Sequence, residues 1–327
     1  MCPSPSIRVV DLASVPLFVR LAKAKSVLIA GAGGGFDVFA GLPIYFALRK
    51  AGVRVQLANL SFSRLDGVEG RRLSPAVLEV GPDSSGGSSS YFPEKHLCRW
   101  LREQGAEPRI FAFEKTGVVP LRRAYEALID ELGVDTLLLV DGGSDSLLRG
   151  DEAGLGTPSE DMASIAAADD LAVPNKLLAS IGFGVDAFHG VCHAHVLEAV
   201  ADLSREGGYL GAFSLLPQMS EFALYKSAVE AVNAAMEEQP SIVNASILSA
   251  VEGDFGDVHR THRTRGSKLF INPLMAMYFA FDLAAVARRV LYLKHLKGTQ
   301  TMFEVSAIIE GFQRGCGSLK PWVAIPI

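Results

Sequence analysis

The segment Val140-Asp141-Gly142-Gly143-Ser144-Asp145-Ser146-Leu147-Leu148-Arg149-Gly150-Asp151-Glu152 restricts the fold more than any other part of the chain. It follows the apolar, β-type run Thr136 to Val140 and packs five charged groups and three glycines into one short stretch. A short apolar run of this kind reads as a strand covered on both faces, the habit of a parallel sheet with helices on either side. Glycines at its end let the backbone approach a ligand, and carboxylates supply acid/base or metal chemistry. The same grammar occurs twice more. Ser26 to Ala30 runs into Gly31-Ala32-Gly33-Gly34-Gly35-Phe36-Asp37, and Leu177 to Ile181 runs into Gly182-Phe183-Gly184-Val185-Asp186. Open parallel sheets place ligands beyond the carboxyl ends of their strands, so the three turns are expected to converge on one crevice.

The remaining elements fit that frame. A helix over Asp37 to Lys50, with Asp37 as N-cap, and a strand over Val53 to Asn59 make a βαβ start. Leu60 to Phe92 reads as loose chain. Its stretch Asp83-Ser84-Ser85-Gly86-Gly87-Ser88-Ser89-Ser90 cannot form a packed core and is expected as a surface loop, a linker or a lid over the crevice. Further strands are expected at Arg109 to Phe113, Asp135 to Val140, Leu177 to Phe183 and Tyr209 to Leu216. Helices are expected between them, from Pro93, Val119, Thr157 and His193. Beyond about residue 217 the pattern is mainly helical, with Pro273 to Arg289 and Met302 to Phe312 its clearest helices. The expectation is one α/β domain over residues 1–327. It has a doubly wound, mostly parallel, Rossmann-like open sheet in about 1–216 and a helical portion packed on it in about 217–327.

Composition removes several function classes. Hydrophobic residues are 49% and charged residues 20%, which is globular rather than disordered. A net charge of -5 gives no global field for nucleic acid. The four cysteines, Cys2, Cys98, Cys192 and Cys316, have no paired spacing and read as reduced thiols. Met1 to Arg8 lacks a secretory pattern. The apolar run Leu269 to Ala287 is broken by Asn272, Pro273 and Asp282, which suits a buried helix better than a membrane span. A cytoplasmic protein is expected, with a small, anionic ligand as partner, neither nucleic acid nor membrane, and with homo-oligomerisation left open.

Four sets of residues carry chemistry. Gly33, Gly34 and Gly35 stand where a phosphate loop would. Phe36, however, occupies the place of the third glycine of a dinucleotide fingerprint. Asn59, followed by Ser61, Ser63 and Arg64, stands where a ribose-binding acid belongs. Asp141 and Asp145, flanked by Gly142 and Gly143 and followed by Asp151 and Glu152, would bind Mg²⁺ or another divalent cation, or share a proton. Asp186, His189, Cys192, His193 and His195 fall within ten residues. If that segment is helical, His189 and His193 share a face and could hold Zn²⁺ or Fe²⁺, while one histidine beside Asp186 would serve as acid/base. Arg263 and Arg265, in the basic run with Arg260, His262 and Lys268, would clamp a phosphate or carboxylate.

These segments resemble a prokaryotic family, domain of unknown function 1152. The matching stretches are Gly33 to Val38, Asp141 to Glu152 with Gly154 to Met162, Gly182 to Gly190, Arg263 to Ser267, and Asn272 to Met275. The long middle motif is the specific one. The resemblance implies a single domain spanning nearly the whole chain and supplies no catalytic residue.

The residues themselves point to an enzyme on a phosphorylated or nucleotide-like small molecule. Gly33, Gly34, Gly35 and Asp37 would meet the anionic group. Asp141 and Asp145 would bind a cation or ribose hydroxyls, Asp186 and His189 would form the acid/base pair, and Arg263 and Arg265 would hold the distal anion. Hydrolysis, lyase chemistry and group transfer all use such parts. One alternative is an NAD- or NADP-dependent oxidoreductase, with Arg64 toward a 2′-phosphate. Another is a non-catalytic nucleotide or metabolite sensor.

Overall fold

In the computed structural model, which describes residues 14–86, 91–106 and 108–325, strands and helices are interspersed along the chain. The strands are β1 (Ser26–Gly31), β2 (Arg54–Leu60), β3 (Arg72–Ser74), β4 (Val77–Val80), β5 (Ile110–Phe113), β6 (Thr136–Gly142), β7 (Asn175–Ile181), β8 (Tyr209–Ser214) and β9 (Met277–Asp282). The helices are α1 (Pro16–Leu21), α2 (Asp37–Ala40), α3 (Leu42–Lys50), α4 (Pro93–Glu103), α5 (Val118–Leu132), α6 (Pro158–Asp169), α7 (His193–Arg205), α8 (Ser220–Ala235), α9 (Ile242–Val251), α10 (Leu283–Arg289), α11 (Leu293–Leu296) and α12 (Met302–Gly315). All nine strands join one sheet in the order β3-β4-β5-β2-β1-β6-β7-β9-β8. The central five, β5, β2, β1, β6 and β7, are mutually parallel. β4 and β9 run against them, and β3 and β8 reverse again, so the sheet is mostly parallel.

Burial on both faces explains the uninterrupted apolar strands. Every residue of β1 and of β6 is buried. Along β1, Leu28 and Ala30 join the core under α5, α6, α10 and α12, while Val27 and Ile29 join the core under α3, α4, α8 and α9. From β1 the chain builds outward through β2 to β5, then returns to place β6 on the other side of β1. The connections that leave β1 and β6 therefore diverge beyond Gly31 and Gly142, the position at which open parallel sheets hold their ligands.

Three expectations are corrected. The helix expected over Asp37 to Lys50 is broken at Gly41, where it presses on the sheet. Asp37 is the first helical residue rather than the cap. The chain between Leu60 and Phe92 is not merely loose, because β3 and β4 form an antiparallel hairpin that extends the sheet beyond β5. In the stretch expected as a surface loop, Asp83 pairs with Arg102 and Ser85 with Glu69. Its residues 87–90, like the N-terminal residues 1–13, lie outside the described residues. Finally, the run Leu269 to Ala287 is not one helix. A 3-10 turn at Pro273–Ala276 leads into β9, and α10 follows, capped by the Asp282 carboxylate accepting from the Ala285 N–H at 3.2 Å. Tyr278, Phe279 and Phe281 suit a strand buried on both faces, and β9 enters the sheet between β7 and β8. The C-terminal portion thus completes the sheet as well as covering it. Among the described residues, no helix is long and apolar enough to cross a membrane.

Gly41 is where the α2–α3 break meets β1 and β6. A Cβ there would lie 2.5 Å from Ile29 Cγ2 and 3.2 Å from Val140 Cγ2. Gly41→Ala should therefore destabilise by about 1–3 kcal/mol through overpacking. The urea midpoint should fall while the slope of unfolding stays constant. An unchanged midpoint would mean that the helix break does not bear on the central strands.

Candidate functional site

Beyond the carboxyl ends of β1, β6 and β7 the three glycine turns meet. The Ala32 N–H donates to the Val140 carbonyl at 2.8 Å, which fastens the first turn to β6. The Ser164 hydroxyl of α6 donates to the Ala32 carbonyl at 2.8 Å, and the Ser180 hydroxyl of β7 donates to the Gly143 carbonyl at 2.6 Å. Five aspartates come together over this scaffold. Asp37 accepts the Gly33 N–H at 2.7 Å, and Asp141 accepts the Ser146 hydroxyl. Asp145 accepts the Thr157 N–H at 2.9 Å, and Asp186 accepts the Ser144 N–H at 2.7 Å. Asp161, in the first turn of α6, completes the group.

The turns are glycine-rich because the carboxylates press against them. A Cβ on Gly33 would sit 2.6 Å from Asp161 Oδ2 and 2.8 Å from Asp37 Oδ2. One on Gly143 would sit 2.7 Å from Asp186 Oδ2 and 3.1 Å from Asp141 Oδ1. Carboxylate oxygens of Asp37, Asp141 and Asp161 all lie within 4.8 Å of one another. Asp141, Asp145 and Asp161 are buried, at 2%, 4% and 3% exposure. Among the described residues, none of the five aspartates forms an ion pair with a lysine or arginine. The nearby Lys115 is engaged by Glu160 instead. Asp161 Oδ1 is buried without any hydrogen-bond partner.

Burial, opposed by the Gly33 N–H and reinforced by the charges of Asp145 and Asp186, raises the Asp37 pKa to about 8. Burial, then like-charge repulsion, raises Asp141, Asp161 and Asp186 well above the ordinary carboxylate value, and burial raises Asp145 as well. A buried carboxyl keeps its proton unless a cation offsets its charge. The arrangement can therefore either share protons or bind a hard divalent cation through oxygen.

The structure brings Asp37, Asp141, Asp145 and Asp186 together with Gly33, Gly142 and Gly143, and separates other candidates from them. The end of the long motif turns away. Arg149 pairs with Asp151 at 3.3 Å, and Glu152 accepts the Arg149 and Gly150 N–H groups, so these charges brace a loop. The Gly33 and Gly35 N–H groups are engaged by Asp37 and by the Leu60 carbonyl, so those two donors do not face a phosphate. His189 ends a 3-10 turn and His193 begins α7, with the left-handed Gly190 between them. The shared helical face is lost, and neither histidine belongs to a metal-type cluster among the described residues. His189 is exposed and lies close enough to Asp145 to favour its ionised form, whereas His193 packs against the Phe183 and Trp322 rings. Arg64 pairs with Asp66 on the surface. Arg263 is exposed and donates to the Pro240 carbonyl at 2.9 Å, while the Tyr91 hydroxyl approaches Gly35. Arg265 is exposed in the same loop.

Two residues were missing from the sequence-based set. Asp161 sits behind Thr157-Pro158, where an acid in a first helical turn reads as a complement to the helix dipole. Glu94, behind Pro93, sends the same signal. Glu94 is fully buried, accepts the Asn59 amide at 2.8 Å, and burial raises its pKa to about 7. Asn59, in the place of a ribose acid, instead ties Glu94 to the Gly35 carbonyl. A cavity of about 880 Å³ lined by Arg49, Arg54 and Arg109 lies elsewhere, at the amino ends of β2 and β5. There Tyr45, Ser26 and Glu79 engage these arginines.

The raised carboxyls give stability an inverted pH dependence. The folded protein holds protons that the unfolded chain releases near pH 4, and it keeps them up to about pH 8 at Asp37 and about pH 7 at Glu94. Stability contributed by these groups is therefore lost as pH rises across that window. Burial lowers the pKa of His96 and His193 below 6.5, which acts in the opposite sense at lower pH. Between pH 6.5 and 8, with chelator present, the melting temperature should fall by several degrees. A melting temperature that is flat or rising there would show that the cluster is not protonated in the metal-free fold.

Residues 28–313 match the family model described as protein of unknown function (DUF1152). Comparison with curated proteins and with solved structures found no match. The matched span takes in every residue of the aspartate cluster and most of the chain, and the chain belongs to the DUF1152 family.

Proposed function

We propose that the protein is a divalent-metal-dependent enzyme acting on a phosphorylated or nucleotide-like small molecule at the carboxyl ends of β1, β6 and β7. One observation carries the reading. Asp37, Asp141 and Asp161 offer oxygens within 4.8 Å of one another, and no basic side chain among the described residues neutralises them. The unpartnered Asp161 Oδ1 points to a missing electropositive neighbour. An all-carboxylate donor set suits Mg²⁺ or Mn²⁺ better than a softer metal. The order β5-β2-β1-β6-β7 supports a Rossmann-like sheet, whose ligand crevice opens between β1 and β6.

The surroundings favour an anionic substrate once the cation is present. Lys115 lies beside Phe62 and Glu160, next in sequence to Asp161. The charge of Arg263 acts on Tyr91, whose hydroxyl approaches the glycine loop at Gly35. A phosphate would reach the site by bridging the cation to such rim groups, rather than through the N–H groups of Gly33 and Gly35. When bound, the metal supplies Lewis acidity and orients the phosphate. His189, exposed beside Asp145, is placed to give or take a proton at the rim. Hydrolysis and group transfer both fit these parts.

A thermal-shift series with Mn²⁺ and Mg²⁺ at pH 8 tests the reading. Saturating Mn²⁺ should raise the melting temperature, since a ligand at a hundredfold its Kd stabilises by about 2.7 kcal/mol. Asp161→Asn should raise the melting temperature of the metal-free protein by removing a buried acid. The same variant should lose most of the Mn²⁺ shift, an outcome that simple misfolding cannot imitate. Nucleotides and sugar phosphates should add a further shift only with metal present. If Mn²⁺ and Mg²⁺ leave the wild-type melting temperature unchanged, the proposal fails.

A further inference from the structure

The cavity at the amino ends of β2 and β5 lies at the opposite end of the sheet from the aspartates and shares no residue with them. The seven residues of β2 separate the two regions by about 20 Å, at about 3.3 Å per residue. We infer that this cavity is a second binding site, for a small polyanion carrying two or more phosphate or carboxylate groups held by Arg49, Arg54 and Arg109. It does not depend on metal chemistry at the aspartate cluster.

Strand register opens the cavity. β2 pairs with β1 from Arg54 onward, but with β5 only from Leu57, opposite Ile110. Arg54, Val55 and Gln56 thus have a parallel partner on one side alone. Pro108, two residues before β5, has no N–H to give to a ladder, so the pairing stops there. The notch left beside β2 is bounded by residues of α3 and α4, among them Tyr45, Arg49 and Leu101, and holds about 880 Å³. Sites for metabolites and cofactors commonly enclose about 300–1,000 Å³.

Charge and orientation set the class of ligand. Arg49 Nη1 donates to the Tyr45 hydroxyl at 2.8 Å, and Arg54 Nε donates to the Ser26 hydroxyl at 3.2 Å. Tyr45 and Ser26 are buried, so both hydroxyls are firm anchors. Among the described residues neither of these arginines forms an ion pair, and Arg109 has one partner, Glu79 at 3.6 Å. Glu79 is also the one acid among the described lining residues. A hydroxyl orients a guanidinium without cancelling its charge, and its remaining donors suit the paired oxygens of a phosphate or carboxylate. Arg49, in the last turn of α3, also offsets the helix dipole. Arg54 and Arg109 belong to no helix, so that role does not account for them. The whole chain carries a net charge of -5, so the gathering of arginines here is local and not part of a general excess of cations.

Isothermal titration calorimetry on the full chain tests this, with the protein stripped of metal and kept in resin-treated buffer free of chelator. Pyrophosphate and citrate are the probes. The wild type should bind at least one of them at one site per chain, and affinity should fall as NaCl is raised. Tighter binding of pyrophosphate assigns the phosphate class, and tighter binding of citrate the carboxylate class. Arg54→Gln and Arg109→Gln should each weaken binding by about tenfold or more, with melting temperatures close to that of the wild type. Arg49→Gln replaces Arg54→Gln if loss of the contact with Ser26 unfolds the latter. Asp161→Asn should bind as the wild type does, which separates this site from the aspartate cluster whether or not that cluster takes metal. Absence of binding by both probes would overturn the inference. So would binding that the arginine variants retain in full, or that Asp161→Asn abolishes.

Discussion

Five aspartates gathered beyond the carboxyl ends of three neighbouring strands, with Asp141, Asp145 and Asp161 buried, cannot all be ionised in isolation. With oxygens of Asp37, Asp141 and Asp161 within 4.8 Å of one another, two like charges repel by at least roughly 3–4 kcal/mol at an effective dielectric of about 20. Several such pairs together would rival the net stability of an ordinary domain. The fold therefore exists either with protons on these groups or with cations among them. Most of the local architecture is arranged around that condition. Main-chain N–H groups of Gly33, Ser144 and Thr157 each hold one carboxylate. Hydroxyls of Ser164 and Ser180 fasten the turns. The sheet, apolar on both faces, supplies a rigid base from which the turns cannot relax away from one another.

Much of this could be read from the chain. The rule that links a short apolar run to a strand buried on both faces worked for β1, β6 and β7, because nothing else in those segments competes with it. The convergence of Asp37, Asp141 and Asp186 follows from strand order. Once β1, β6 and β7 are parallel neighbours, their carboxyl ends meet whatever the loops do. The reading failed where two signals overlapped. Met277 to Asp282 is apolar and runs directly into the helical Leu283 to Arg289, so its period cannot separate a strand from the start of a helix. Its antiparallel partners lie about one hundred residues upstream on β7 and about seventy upstream on β8, a pairing no local pattern announces.

The missed acids show a different limit. Asp161 and Glu94 both occupy the first turn of a helix that begins with proline, a position where acids are favoured by the helix dipole alone. A residue that satisfies a local rule gives no hint that it also serves a distant site. The opposite error affected Asp151, Glu152 and Arg149. Their closeness in sequence to Asp141 and Asp145 suggested one cluster, but the 3-10 turn at Asp145–Leu147 and the extended backbone at Leu148 carry them away. His189 and His193 failed for a similar reason, because Gly190 takes a left-handed conformation and ends the helical register that would have paired them.

The glycine loop shows how the same residues can serve an unexpected purpose. Gly33-Gly34-Gly35 was legible as a place where backbone must approach something closely. A phosphate was one candidate for that something, and the protein's own carboxylates turn out to be another. Gly33 lacks a side chain because Asp37 and Asp161 fill the space beside it, and Gly143 because Asp186 and Asp141 do. Small residues around acids let the oxygens approach one another more closely than bulkier turns would allow. That closeness is costly in an empty site and useful in a loaded one. The spacing that forces protons onto the metal-free cluster also brings several oxygens within reach of one cation. On the proposed metal reading, affinity for metal and instability without it have a common origin in the glycines, and metal binding should become stronger as pH rises and the competing protons leave.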